Sequence, residues 1–171
     1  GLRDMAQPSA AEAPAISAYF DGSPVPAFAI DSSHVVTHWN KACERITSIP
    51  AELVVGTTDL WRAFYKQKRP CLANLIVSGN QEDSVDQYYA GKCRRSLLIP
   101  GAFEVEDFFP RLGESGRWLI FSAAPLRDSE GRVVGAIEML QDVTEQKSAE
   151  TDLHNVRLQL EELVERRTSQ L

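Results

Sequence analysis

Apolar positions change their spacing along this 171-residue chain, and the changes mark its elements. Residues 25–30 are apolar and residues 35–39 are β-branched and aromatic, with Asp31-Ser32-Ser33 between them. Two short strands around turn-forming residues predict a β-hairpin. Asn40 follows, placed so that its side chain can accept a hydrogen bond from an orphan backbone N–H of a helix. Residues 40–79 predict a string of short helices. Pro50 suits the first turn of one beginning near Ala51, and Gly56 ends it. Thr58 or Asp59 can cap the next, which carries Leu60, Trp61, Phe64 and Tyr65. Pro70 opens another, with Leu72, Leu75, Ile76 and Gly79 on one face. Residues 80–100 leave two readings open: 83–90 can be helical, and 92–99 can be helix or strand.

The last third is plainer. Phe103-Glu104-Val105-Glu106 alternates apolar with acidic, as in a half-buried strand. Residues 117–127 and 133–143 predict two long strands joined by the turn Asp128-Ser129-Glu130-Gly131, an antiparallel hairpin. From Thr144 the period changes. Ala149, Leu153, Val156, Leu160 and Leu163 form a heptad seam among Glu, Arg, Asp and Gln, and a parallel homodimer would bury it. At the other end, residues 1–13 have little to bury and read as a flexible leader. Ile16, Tyr19 and Phe20 suggest a cap helix at about 14–20, which Asp21-Gly22-Ser23-Pro24 stops. The fold class expected is α+β: an antiparallel five-stranded sheet with short helices on one face and a C-terminal coiled-coil helix. Space between helices and sheet is where a small ligand could sit.

Hydrophobic residues make up 43% of the chain and charged residues 25%, which are globular proportions. The net charge of −6 argues against nucleic acid as the main partner. The basic clusters Lys66/Lys68/Arg69 and Lys92/Arg94/Arg95 read as solvated faces. No apolar run approaches the ~18 residues of a bilayer-spanning helix, and no signal-peptide pattern is present, so no membrane insertion is expected of this stretch. Cys43, Cys71 and Cys93 imply no disulfide framework and fit a reducing, cytoplasmic setting. His34 and His38 lie four apart, on one side of a strand, without a Cys or carboxylate at ligand spacing, and read as edge-strand histidines rather than a metal pair. The chain has no G-x-S-x-G, P-loop, G-x-G-x-x-G or H-E-x-x-H motif, so no catalysis is expected of it.

Several segments resemble the PAS family. They are Trp39-Asn40-Lys41-Ala42 after a strand, Val55-Gly56, Pro125-Leu126-Arg127-Asp128 before Gly131, and residues 135–145, which end in an Asp142-Val143-Thr144 similar to the family's Asp-Ile-Thr signalling motif. The tail 160–171 resembles the coiled-coil linker before bacterial histidine-kinase domains. Similar linkers precede diguanylate cyclases, and a chemoreceptor output is a further alternative. The resemblance implies a sensory domain over 14–145, strand order 2-1-5-4-3, and a linker over 146–171 leading to an output domain beyond this stretch. It implies signalling through Asp142 and Thr144, from the last strand to the dimer seam. A ligand-free module for dimerisation and relay is the alternative to a ligand sensor.

The resemblance also directs attention to cofactors, and the residues favour none over haem or flavin. There is no C-x-x-C-H, and the helix that commonly supplies a haem histidine in this family has none here. Cys71 reads as a buried inert thiol. Lys92-Cys93-Arg94-Arg95 has the wrong surroundings for the photoreactive flavin cysteine, and non-covalent flavin is left open. For an organic ligand of unknown identity, alternation assigns Leu119, Phe121 and Ala123 to the inner face of one strand. Val134, Ala136, Glu138 and Leu140 share the matching face of the next. Trp61, Phe64, Leu72 and Ile76 are candidates for the opposite wall, or plain core. Glu138 is the odd member. A carboxylate facing an apolar interior needs a cation, a hydrogen-bond donor or a proton; alternatively a slip of register turns it to water.

Overall fold

The computed structural model describes residues 13–79 and 81–171. All but Ala13 of the expected leader lies outside the described residues. Helix α1 (Ile16–Gly22) precedes a hairpin of β1 (Ala27–Asp31) and β2 (Val36–Trp39). The Asp31 carboxylate makes the turn by accepting the N–H groups of Ser33 and Val35 at 2.8 and 3.1 Å. Short helices α2 (Lys41–Thr47) and α3 (Ala51–Val54), a 3₁₀ turn (Leu60–Ala63), and α4 (Leu72–Ser78) and α5 (Gln81–Tyr89) follow. The remaining strands are β3 (Cys93–Arg95), β4 (Phe103–Phe109), β5 (Arg117–Arg127) and β6 (Val133–Asp142), and helix α6 (Thr144–Gln170) ends the chain.

Asn40 fastens the first half together. Its side-chain oxygen accepts Cys43 N–H (2.9 Å), capping α2, and Ala27 N–H (3.0 Å) at the start of β1. Its amide donates to the carbonyls of Phe20 and Val25 at 3.0 and 2.8 Å. One fully buried side chain thus spends four hydrogen bonds on α1, β1 and α2. The side-chain cap expected at Thr58 or Asp59 is not formed. Asp59 makes no side-chain cap, and the Thr57 hydroxyl accepts Asp59 N–H at 3.3 Å.

All strands join one antiparallel sheet in the order β2-β1-β6-β5-β4-β3. Five of them reproduce the expected order 2-1-5-4-3, and β3 adds a sixth strand. Gly91, at φ +74°, turns the chain back after α5, so that Cys93–Arg95 pairs with Phe103–Val105. With only three residues, two of them arginines, β3 is the kind of short charged strand that ends a sheet without inviting another chain. Helix α4 packs on β5 and β6, so the helices cover one face. Val134 departs from its expected inner position. The pairing of β5 with β6 shifts between Leu126 and Arg127, and Val134 beside that irregularity is exposed.

Strand β6 lies against β1 closely enough to need glycine at position 135. A Cβ there would stand 2.3 Å from the Ile30 carbonyl oxygen. Gly135→Ala should cost about 1–3 kcal/mol in urea unfolding. Gly22→Ala, with nothing within 4 Å of the added atom, serves as the control. An unchanged midpoint for Gly135→Ala would mean that β1 and β6 do not pair in this register.

Candidate functional site

The inner face of the sheet is built by alternation. Leu119, Phe121 and Ala123 on β5, and Ala136, Glu138 and Leu140 on β6, are all buried. Leu72 and Ile76 of α4 and Phe64 close over them. Large rings fill the space between the layers. Phe28 stacks on Trp39 (centroids 5.4 Å), Phe109 meets Phe121 edge-on (5.7 Å), and Tyr89 meets the same Phe121 at 5.6 Å. Trp61 stands apart from the other candidates. It is half-buried at the outer side of the helical layer and lies outside this packed cluster.

Glu138 faces inward, so the register does not slip. One carboxyl oxygen accepts the backbone N–H of Ala73 at 2.9 Å. Ala73 is in the first turn of α4, whose leading N–H groups have no partner within the helix. A side chain of β6 therefore holds the start of α4 across the core. Burial pushes the Glu138 carboxyl from its ordinary 4.5 up to about 8, against the opposing pull of the Ala73 N–H. The titratable groups whose charges couple to it are Cys43, Cys71, Tyr65 and Tyr89, all neutral acids at neutral pH. No lysine or arginine pairs with Glu138 among the described residues. Burial also raises the thiols, Cys43 to about 12 and Cys71 well above its usual value, so both stay S–H at neutral pH.

Arg69 is not on a solvated face. Its guanidinium lies 4.0 Å from the ring centre of Tyr65 and 4.8 Å from that of Tyr89, and the two tyrosine hydroxyls hydrogen-bond to each other at 2.9 Å. In the other basic cluster, Lys92 pairs with Asp107 at 2.8 Å and Arg94 pairs with Glu104. The two histidines are not partners. His34 sits in the turn before β2 at φ +65° and bonds to Asn74 (3.0 Å), while His38 stacks on Phe20 (4.7 Å). Among the described residues no cluster of three or more His, Cys, Asp and Glu side chains is arranged to hold a metal.

At the far end of β6 the strand passes into α6 through a knot of short bonds. Asp142 accepts both the backbone N–H (3.0 Å) and the hydroxyl of Thr144. The Thr144 hydroxyl oxygen in turn accepts Trp118 N–H on β5 at 3.0 Å. Val143, buried between them, donates its N–H to the Trp118 carbonyl at 2.9 Å. One turn on, Lys147 pairs with Glu106 of β4 (2.8 Å) and lies over the Trp118 ring (5.5 Å). The base of α6 is thereby tied to β4, β5 and β6.

A family model described as the PAS fold matches residues 20–148. The chain belongs to the PAS family. Its sheet order, its helices on one face and its long C-terminal helix agree with that membership. This PAS domain is 23% identical over 126 residues to phytochrome B of Arabidopsis thaliana, covering 72% of the chain but only 9% of that protein. Among solved structures it is similar to the PAS domain of Bordetella pertussis BvgS, with 18% identity and a TM-score of 0.49, over 82% of this chain and 93% of that one. It is also similar to an RNA-binding light-oxygen-voltage receptor, with 17% identity and a TM-score of 0.53, over 92% of this chain and 42% of that one. PAS domains are the sensory, non-catalytic modules of signalling proteins. No helix among the described residues is long and apolar enough to cross a membrane.

Proposed function

We propose that this PAS domain is the cytoplasmic input module of a two-component sensor histidine kinase, and that it relays a change in its helical layer to a homodimeric coiled coil. The observation that carries the proposal is the continuity from Glu138 to α6. Glu138 holds the start of α4, and four residues later on the same strand Asp142 holds the start of α6. A shift of α4 therefore loads the strand from which the output helix springs. The helix has a face waiting for a partner. Ala149, Leu153, Val156, Leu160 and Leu163 are all exposed in the single chain. With 27 residues, α6 extends about 40 Å, ample for knobs-into-holes packing against a second copy.

The aromatic packing between helices and sheet supports relay over a ligand held in the interior. A molecule among Phe64, Leu72, Ile76, Leu119, Phe121, Ala123, Ala136, Glu138 and Leu140 would have to displace buried side chains. The acidic balance of the chain supports a protein output rather than a nucleic-acid partner. A diguanylate cyclase or chemoreceptor output would use the same coil.

Cysteine cross-linking tests the dimer. In a Cys93→Ser background, Leu160→Cys on the seam should oxidise to a linked homodimer about tenfold faster than Glu161→Cys, one residue off it. Cross-linking at position 160 also requires the two helices to run parallel and in register. Equal rates, or a monomer in sedimentation, would contradict the proposal.

A further inference from the structure

A cleft of about 360 Å³ opens on the outer side of the helical layer, between the turn before β2 and the segment leading into α4. That is at the small end of ligand sites. Its wall includes Thr58, Trp61, Lys68, Arg69, Asn74 and His34, and among the described side chains no Asp or Glu lines it. On a chain with a net charge of −6, a cleft with two cations and no carboxylate among the described side chains is out of character. The rest of the wall is also rich in donors. The Asn74 side-chain oxygen accepts the Cys71 N–H at 2.9 Å, which orients the amide. Its nitrogen therefore donates to His34 Nδ1 at 3.0 Å, and the ring proton sits on Nε2, a further donor. His34 reaches this position at φ +65°, a backbone conformation that costs free energy in a residue other than glycine and recurs at functional sites.

Two of the wall's donors lack acceptors. Trp61 Nε1 and Arg69 Nη2 are both enclosed and have no hydrogen-bond partner. Each such group carries a desolvation cost that no hydrogen bond offsets; for Arg69 the contacts with the Tyr65 and Tyr89 rings offset part of it. Lys68 has no ion-pair partner among the described residues. We infer that this cleft binds a small oxyanion, a molecule bearing a carboxylate or phosphate group, with Lys68 and Arg69 supplying the charge and Trp61 Nε1 a directional donor. An oxyanion drawn between Trp61 and Arg69 gives both enclosed donors the acceptor they lack.

The position suits an input. Arg69 lies on Tyr65 and Tyr89, and Tyr89 packs on Phe121 of β5. Asn74, also in the wall, belongs to α4, which Glu138 holds from β6. An anion that moves Arg69 or Asn74 acts on both strands that carry α6. Only this consequence for output rests on the relay proposed above; the binding itself does not.

The test is isothermal titration of the 171-residue chain with citrate and, separately, with inorganic phosphate, tryptophan fluorescence being recorded in parallel. Sodium chloride at matched ionic strength is the control. The expected result is saturable binding of at least one anion. It should weaken about tenfold in Lys68→Gln, an exposed position whose replacement spares the fold, and at least as much in Arg69→Lys, which keeps the charge but loses Nη2. Citrate alone would assign a carboxylate ligand and phosphate alone a phosphorylated one. Linear heats for both anions, an equal response to chloride, or undiminished binding in Lys68→Gln and Arg69→Lys would overturn the inference. Sedimentation of the same samples keeps the proposals separate. A monomer that binds the anion contradicts the dimeric relay alone, and a dimer with no saturable binding contradicts the anion site alone.

Discussion

Glu138→Gln should stabilise the domain at pH 8 and leave it nearly unchanged at pH 4.5. Glutamine copies the shape of the protonated carboxyl and keeps an oxygen for Ala73 N–H, but it cannot ionise. The sign follows from the raised value. Burial lifts the folded-state carboxyl from about 4.5 to about 8. Below 4.5 both folded and unfolded chains hold the proton, and the group costs nothing. As pH rises from 4.5 to 8, the unfolded chain releases its proton while the folded chain keeps it, so stability falls; above 8 the loss is complete. A shift of this size corresponds to about 3–5 kcal/mol by pH 8. Urea unfolding of wild type and Glu138→Gln at pH 5, 6.5 and 8 checks it. The two curves should diverge as pH rises, with wild type the weaker. Parallel curves would mean that Glu138 is ionised in the fold and paired with a cation.

Asn40→Ala should be among the most damaging single substitutions in the chain, with a loss of about 3–4 kcal/mol. Four hydrogen bonds disappear, and two backbone N–H groups, of Ala27 and Cys43, lose their acceptor in a buried site. Asn40→Asp separates the contributions. It retains the oxygen for Ala27 and Cys43 but sets a carboxylate against the carbonyls of Phe20 and Val25. Its damage should concentrate on α1, seen as faster amide exchange over Ile16–Gly22 than in wild type. A midpoint for Asn40→Ala within about 0.5 kcal/mol of wild type would mean that the residue is solvated rather than the fastening described above.

The long elements were legible because their signals are local and repeated. Alternation along 117–127 and 133–142 assigned the inner face of both strands, and Asn40 was recognisable as a helix cap from its place after a strand. Its other three bonds were not, because Ala27, Phe20 and Val25 come near only once the hairpin has folded. Glu138 stood out as a carboxylate on an apolar face, yet its partner is a backbone N–H, which no residue type announces. Strand β3 is too short to show a period, and the irregular pairing that exposes Val134 leaves no mark in hydropathy. Arg69 looked solvated because it sits in a basic run. Charge counting does not register a guanidinium laid on Tyr65, four residues earlier, and on Tyr89 at the end of α5. Trp61 shared the spacing of the core residues but faces the outer cleft, a distinction that depends on how the 3₁₀ turn sits against α4.

The most direct test of the account is an inter-protomer distance. A spin label on Glu161→Cys in a Cys93→Ser background reports from the exposed side of α6, with Cys43 and Cys71 buried and unreactive. The distance distribution is recorded by double electron–electron resonance with Asp142 intact and after Asp142→Ala, which removes the acceptor for both Thr144 donors. The account predicts one narrow distance between paired helices, and a shifted or broadened distribution once Asp142 is gone. A trace without dipolar modulation, or the same distribution in both proteins, would contradict it.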